Sequence, residues 1–112
     1  MITIQTNKTD EQMLVTMIGS LDTMAANQID AQVKEIEANA KYPITIDCTQ
    51  LDYISSAGLR LLLRIRKAAG AVGQKVTLHG VNNNVMEVLS VTHFDKMFVI
   101  GYLVDSLEYA KA

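Results

Sequence analysis

Two adjacent hydroxyls, Ser55 and Ser56, stand between an apolar stretch, Ile44-Thr45-Ile46-Asp47-Cys48, and a basic, leucine-rich one, Leu59-Arg60-Leu61-Leu62-Leu63-Arg64-Ile65-Arg66-Lys67. The first reads as a strand and the second as a helix, so the serines fall on the loop where a helix begins. The open N–H groups of a helix N-terminus carry partial positive charge and accept phosphate or carboxylate groups. One reading of the pair is therefore a phosphoryl acceptor. The other is an ordinary N-cap: a serine hydroxyl satisfies an orphan N–H there and is worth about 1 kcal/mol over alanine. Spacing alone leaves both readings open.

Catalytic chemistry has little support. A nucleophilic serine needs a base and an orienting acid, and only His79 and His93 offer an imidazole. The loop lacks the Gly-x-Ser-x-Gly elbow of hydrolases, because Ile54 occupies the place of the first glycine. Cys48 is the only cysteine, and no paired Cys/His spacing points to a metal ligand set. The glycines form neither a Walker loop nor a dinucleotide fingerprint. No catalytic residue, metal or cofactor is expected. Asp22, opening a helix, and Asp47, on the strand before the serines, are the acids expected beside the loop.

Whole-chain properties narrow the partners. The chain has 112 residues, enough for one domain spanning 1–112 with its own core. Ten Lys plus Arg against twelve Asp plus Glu give a net charge of -2, which is no footprint for nucleic acid or an anionic membrane. A single cysteine inside an apolar strand fits a reducing compartment. The N-terminus lacks a basic region followed by a long apolar run, and no stretch approaches the roughly 20 apolar residues of a membrane span. A cytoplasmic protein with a specific protein or small-molecule partner is expected.

The elements that position the serines follow from periodicity. Ile2 to Thr6 alternates and Met13 to Ile18 is nearly all apolar, which predicts two strands joined as a hairpin through residues 7–11. Gly19 to Thr23 breaks the pattern, with Asp22 or Thr23 placed to cap a helix from Met24 to Ala40. Its apolar stripe is Ile29, Val33, Ile36 and Ala40. Pro43 precedes a strand from Ile44 to Thr49, and a second helix runs from Gly58 to Ala69 before Gly70 and Gly73. Arg60, Arg64 and Lys67 step along one side of that helix as a solvated basic stripe. A fourth strand covers Val76 to His79, Asn82 to Asn84 cap a helix carrying Val85, Val88 and Leu89, and a short strand covers Met97 to Ile100. A terminal helix is indicated over Val104 to Lys111.

Two strands followed by alternating helices and strands predict an α/β domain: a single mixed, mostly parallel sheet. Because its third and fourth strands alternate, the helices should lie mainly on one face. Ile44, Ile46, Cys48, Val76 and Leu78 should be buried, and Thr45 and Thr77 more exposed.

Gly19-Ser20-Leu21-Asp22, the strand Ile44 to Thr49, and Leu51-Asp52-Tyr53-Ile54-Ser55-Ser56-Ala57-Gly58-Leu59 together resemble the STAS domain of bacterial anti-sigma factor antagonists. The likeness covers essentially the whole chain. It implies a small mixed α/β binding module, not an enzyme, whose loop serine is phosphorylated by an anti-sigma factor that is also a kinase, with a phosphatase acting on the phosphorylated form. The unphosphorylated form binds the kinase and so frees a sigma factor. Matched residue by residue, the family's Asp-Ser-Ser/Thr-Gly-Leu loop falls on Ser55 to Leu59, which makes Ser56 the phosphorylated position. The resemblance implies a partner surface of Asp22, Thr23, Ser55, Ser56, Ala57, Gly58 and Arg60. Ser55 replaces the family's frequent acid, and Ala57 replaces its second hydroxyl. Other STAS domains are adaptor subunits of lipid transport or stress-sensing complexes, which is the alternative role the resemblance allows.

Overall fold

The computed structural model describes residues 2–102. Strands β1 (Ile2–Lys8) and β2 (Met13–Leu21) form the expected antiparallel hairpin, in register from Ile2 opposite Gly19 to Lys8 opposite Met13. Thr9 closes its turn, donating its backbone N–H to the Gln12 carbonyl at 2.8 Å and accepting the Gln12 N–H on Oγ1 at 3.2 Å. β2 is longer than the apolar run predicts. Gly19, at φ 111°, does not end the strand but sits at an irregularity within it, where the register against the neighbouring strand slips between Gly19 and Ser20.

The predicted helix from Met24 to Ala40 is two helices, α1 (Thr23–Gln28) and α2 (Asp30–Ala38). They meet at Ile29, whose backbone leaves helical geometry at φ -100°, ψ 9°. Ile29 still donates to the Ala25 carbonyl and accepts from the Val33 N–H, so the bend leaves no backbone group stranded. The apolar stripe survives it: Ile29, Val33, Ile36 and Ala40 are all buried.

Strand β3 (Ile44–Ile54) runs five residues past the predicted end, right up to the serines. Helix α3 (Ser56–Gly70) follows, then β4 (Val76–Val81), α4 (Asn83–Val91) and β5 (Val99–Tyr102). Phe94–Met97 is a turn of 3₁₀ helix, so the last strand starts two residues later than the apolar run Met97 to Ile100 suggests. The indicated helix over Val104 to Lys111 lies outside the described residues.

The five strands form one sheet in the order β1-β2-β3-β4-β5, antiparallel between β1 and β2 and parallel elsewhere. Alternation decides its two faces. Ile44, Ile46, Cys48, Val76 and Leu78 are each no more than 1% exposed, and Met13, Val15 and Met17 from β2 are buried with them. Their neighbours Thr45 and Thr77 are half-buried, and Leu14 and Val99 on that side are exposed. Helices α1, α2 and α3 pack on one another and on the first face.

The basic stripe of α3 divides. Arg60 and Lys67 are exposed, but Arg64 reaches back to α2, with Nη1 2.6 Å from Asp30 Oδ1 and Nη2 2.7 Å from Glu37 Oε1. This one guanidinium bridges two acids and holds the helix pair in register, a geometry that suits the planar fork of arginine. The Arg64 and Lys34 hydrogen bonds hold the Asp30 carboxyl below its ordinary value of 3.8. A carboxyl depressed by folding stabilises fully above its ordinary pKa and loses that contribution as pH falls through the folded value. Arg64→Ala should therefore lower the melting temperature at pH 6 to 7 and make the loss below about pH 4 shallower than in the wild type; a set of thermal melts against pH reads both.

Candidate functional site

β2 and β3 are parallel and end together, with Leu21 beside Ile54 in register. The residues that follow, Asp22 and Ser55, therefore leave the same edge of the sheet side by side. Each caps the helix it starts. Asp22 Oδ1 accepts the Ala25 N–H at 2.8 Å, and Ser55 Oγ accepts the Gly58 N–H at 3.2 Å. The same edge holds a third cap at the end of β4, where Asn82 Oδ1 accepts the Val85 N–H at 2.8 Å. Its Nδ2 donates to the Leu51 carbonyl at 2.9 Å, tying the start of α4 to β3.

The serine turn is clamped onto β2. The Ser55 N–H donates to the Leu21 carbonyl at 2.9 Å. Gly58, buried in the first turn of α3, lies so close to the same residue that a Cβ would come within 2.7 Å of Leu21 Cγ and 2.9 Å of the Leu21 carbonyl oxygen. Ile54 Cγ1 would be equally crowded, at 2.9 Å. Real side chains do not pack at such distances, so this corner of the fold needs a residue without a side chain.

That seating gives the two serines separate roles. Ser55 is half-buried and spends its hydroxyl on the cap. Ser56, the first residue of α3, is exposed. Arg60 is exposed one turn further along the same helix, at the spacing that puts two side chains on one face. Thr23 is exposed at the first position of α1, and Ala57 is half-buried. Asp22, Thr23, Ser55, Ser56, Ala57, Gly58 and Arg60 thus come from two neighbouring helix starts. Asp47 does not join them. With β3 extended to Ile54 it lies mid-strand, opposite His79 in register, and its Oδ1 accepts from Thr49 N at 3.0 Å and Thr49 Oγ1 at 2.7 Å.

Two apolar side chains beside this edge carry no motif. Met24 follows Thr23 and is 72% exposed; Tyr53 precedes Ile54 and is 49% exposed. A shallow depression at the start of α1 is lined by Asp22, Met24, Ala25 and Gln28. Neither residue breaks a periodicity, so only the folded edge marks them as exposed apolar surface.

Burial pushes the Cys48 thiol up to about 12, so it carries no thiolate near neutrality. Among the described residues, no group of three or more His, Cys, Asp or Glu is placed to hold a metal ion. No helix among those residues is long and apolar enough to cross a membrane.

A family model described as Mlab, STAS domain, matches residues 4–105. The chain belongs to the STAS domain family. BtrV of Bordetella bronchiseptica, which bears the name of an anti-sigma factor antagonist, is 28% identical over 95 residues, covering 85% of this chain and 82% of that protein. Two solved structures at lower identity share the fold. An anti-sigma factor antagonist of Thermotoga maritima aligns with a TM-score of 0.77 at 20% identity, over 96% of this chain and 92% of its own. The Bacillus cell fate determinant SpoIIAA in its phosphorylated form aligns at 0.67 and 19% identity, over 97% of each chain.

Within this STAS domain, cap and surface functions separate by one residue, and stability measurements should show it. Ser55→Ala is expected to cost about 1 kcal/mol through the lost cap. Ser56→Ala should stay within about 0.5 kcal/mol of wild type, as exposed substitutions do. Gly58→Ala should cost about 1–3 kcal/mol by overpacking against Leu21. Urea titrations of the three variants give the ranking.

Proposed function

We propose that this STAS domain is an anti-sigma factor antagonist, a protein-binding module switched by phosphorylation of Ser56. Its partner in this reading is an anti-sigma factor with serine kinase activity, bound by the unphosphorylated form with release of a sigma factor; a phosphatase resets the phosphorylated form. The observation that carries the reading is the division of labour at the turn. Ser55 takes the structural duty of the cap, which leaves Ser56 exposed at the start of a fifteen-residue helix.

Physical chemistry supports a switch of surface rather than of fold. A phosphoryl group on Ser56 adds about -1.5 to -2 charge at a helix N-terminus, where the open N–H groups favour it, with Arg60 one turn away. The exposed hydroxyl gives it room without disturbing the core. The same charge on a docking surface flanked by Met24 and Tyr53 opposes a partner that must exclude water there. The solved structure of phosphorylated SpoIIAA, a protein of the same fold, supports the reading. The remaining residues of the surface are Asp22, Thr23, Ser55, Ala57, Gly58 and Arg60.

Incubation with the cognate kinase and ATP should add one phosphate to the wild type and none to Ser56→Ala, read by intact mass. Ser56→Ala should keep partner affinity within about twofold, while the phosphorylated protein should bind at least about tenfold more weakly, a difference of about 1.4 kcal/mol. No added phosphate, or equal affinity after phosphorylation, defeats the proposal. A pull-down separates it from the adaptor role: a kinase and a sigma factor accompany an antagonist, whereas an ATPase and a permease accompany a transport subunit.

A further inference from the structure

The edge of the sheet opposite the serine turn carries a second feature, independent of the switch. Because β3, β4 and β5 are parallel, the starts of β4 and β5 lie at the far end from Ser55, and the C-terminal half of α3 arrives there too. Ten residues of helix separate Ser56 from Arg66, about 15 Å of rise. Between these elements lies a cleft of about 220 Å³. Three cations line it, Arg66, Lys75 and Lys96, and among the described residues no acidic side chain does. In a chain of net charge -2, with only ten Lys and Arg in all, this is a local concentration of positive charge against the sign of the whole.

Arg66 is held rather than waving. Its Nε donates to the Met97 carbonyl at 3.2 Å, and its guanidinium lies over Gly70, where a Cβ would sit 2.8 Å from Nη1. The Nη groups make no hydrogen bond or ion pair with another described residue, in contrast to Arg64, whose fork is fully engaged with Asp30 and Glu37. Asp95, the acid next to Lys96 in sequence, does not line the cleft, and its Oδ1 is buried without a hydrogen-bond partner among the described residues. An arginine fixed through Nε presents its two remaining donors as a pair, the arrangement that grips two oxygens of a phosphate or carboxylate. Phe98, Met97 and Val99 supply an apolar wall beside the charges.

We infer that this cleft is an anion-binding site for a phosphate-bearing small molecule, its phosphoryl group held by Arg66, Lys75 and Lys96 and its organic part lying against Met97 and Val99. Phosphate is favoured over a lone carboxylate because three cationic residues line one cleft, more charge than a single carboxylate balances. A ligand there would join α3 to the starts of β4 and β5, and so would stabilise the folded domain by mass action.

The test is a titration of the full chain with pyrophosphate and with phenyl phosphate at constant ionic strength, followed by amide chemical shifts and by melting temperature. Saturable shifts confined to residues 66–76 and 94–99 are expected, with phenyl phosphate also moving the Met97 and Val99 signals. Arg66→Gln should weaken binding at least tenfold; Lys96→Gln, which leaves the Met97 anchor in place, should weaken it severalfold with an unchanged melt in the absence of ligand. Shifts that do not saturate, that are matched by equimolar acetate, or that persist in both variants would overturn the inference, as would shifts centred on Ser55 and Ser56. Because Ser56→Ala should bind both probes as the wild type does, failure of the switch and failure of this site are separately visible.

Discussion

The contact between Gly58 and Leu21 is the constraint on which the rest of the site depends. Leu21 is the last residue of β2 and is fully buried; its carbonyl takes the Ser55 N–H, and its side chain fills the space that any side chain at position 58 would claim. The first turn of α3 therefore lies directly on the end of β2 instead of standing off the sheet. That seating fixes which serine points where. With Ser55 drawn in by its backbone bond to Leu21 and turned to cap Gly58, the next residue is delivered to solvent at the helix start. A looser corner would let the two hydroxyls exchange places, and the fold would no longer specify which of them faces solvent.

The helices can crowd together at this corner because the sheet is covered mainly from one side. α3 lies against α1 and α2, and Arg64 bridges Asp30 and Glu37 where α2 and α3 pass. An exposed ion pair is ordinarily worth little, since solvent screens it and the side chains lose freedom. Here one planar group serves two carboxylates from one helix, so its value lies more in setting the mutual position of α2 and α3 than in bulk stability. The register of α3 along α2 is also the register of Ser56 and Arg60 relative to the start of α1. A charge pair in the middle of the helical layer is in this way coupled to the geometry at its end.

Much of this was legible in the residues. Strict alternation in Ile44 to Thr49 and Val76 to His79 gave the two-faced sheet, and Asn82 read correctly as a cap because a short polar side chain before an apolar helical repeat has few other uses. The errors share a physical cause: a break in the local pattern and a break in backbone hydrogen bonding need not coincide. Gly19 looks like a stop, yet a strand absorbs it as an irregularity in register. Gln50 and Asp52 look too polar for β3, but their side of the strand is exposed beyond the helices, so polarity costs nothing there. Ile29 fits the helical repeat perfectly and still marks a joint, because its neighbours keep their bonds across it. The roles of Arg64 and Arg66 were invisible, since each depends on partners about thirty residues away, and the same i, i+4 stripe that suggested a solvated face contained a cross-helix bridge.

The departures of this loop from its family pattern acquire a meaning in the structure. Where relatives often place an acid before the phosphorylated serine, this chain has Ser55, and the two residues share an ability: aspartate and serine are both strong N-caps. The substitution keeps the cap while removing a formal negative charge from the helix start. Asp22, at the neighbouring helix start, is committed to Ala25 of its own helix. A phosphoryl group arriving on Ser56 would meet one carboxylate fewer at close range, and the helix N-terminus would have more of its positive potential left to accommodate it. Replacing the second hydroxyl by Ala57 acts in the same direction on selectivity. It leaves Ser56 as the one exposed hydroxyl on the first turn of α3, so a kinase of the proposed switch would meet a single hydroxyl there. What the loop gives up is an acid that could orient the acceptor hydroxyl, and that task would pass to the enzyme that uses it.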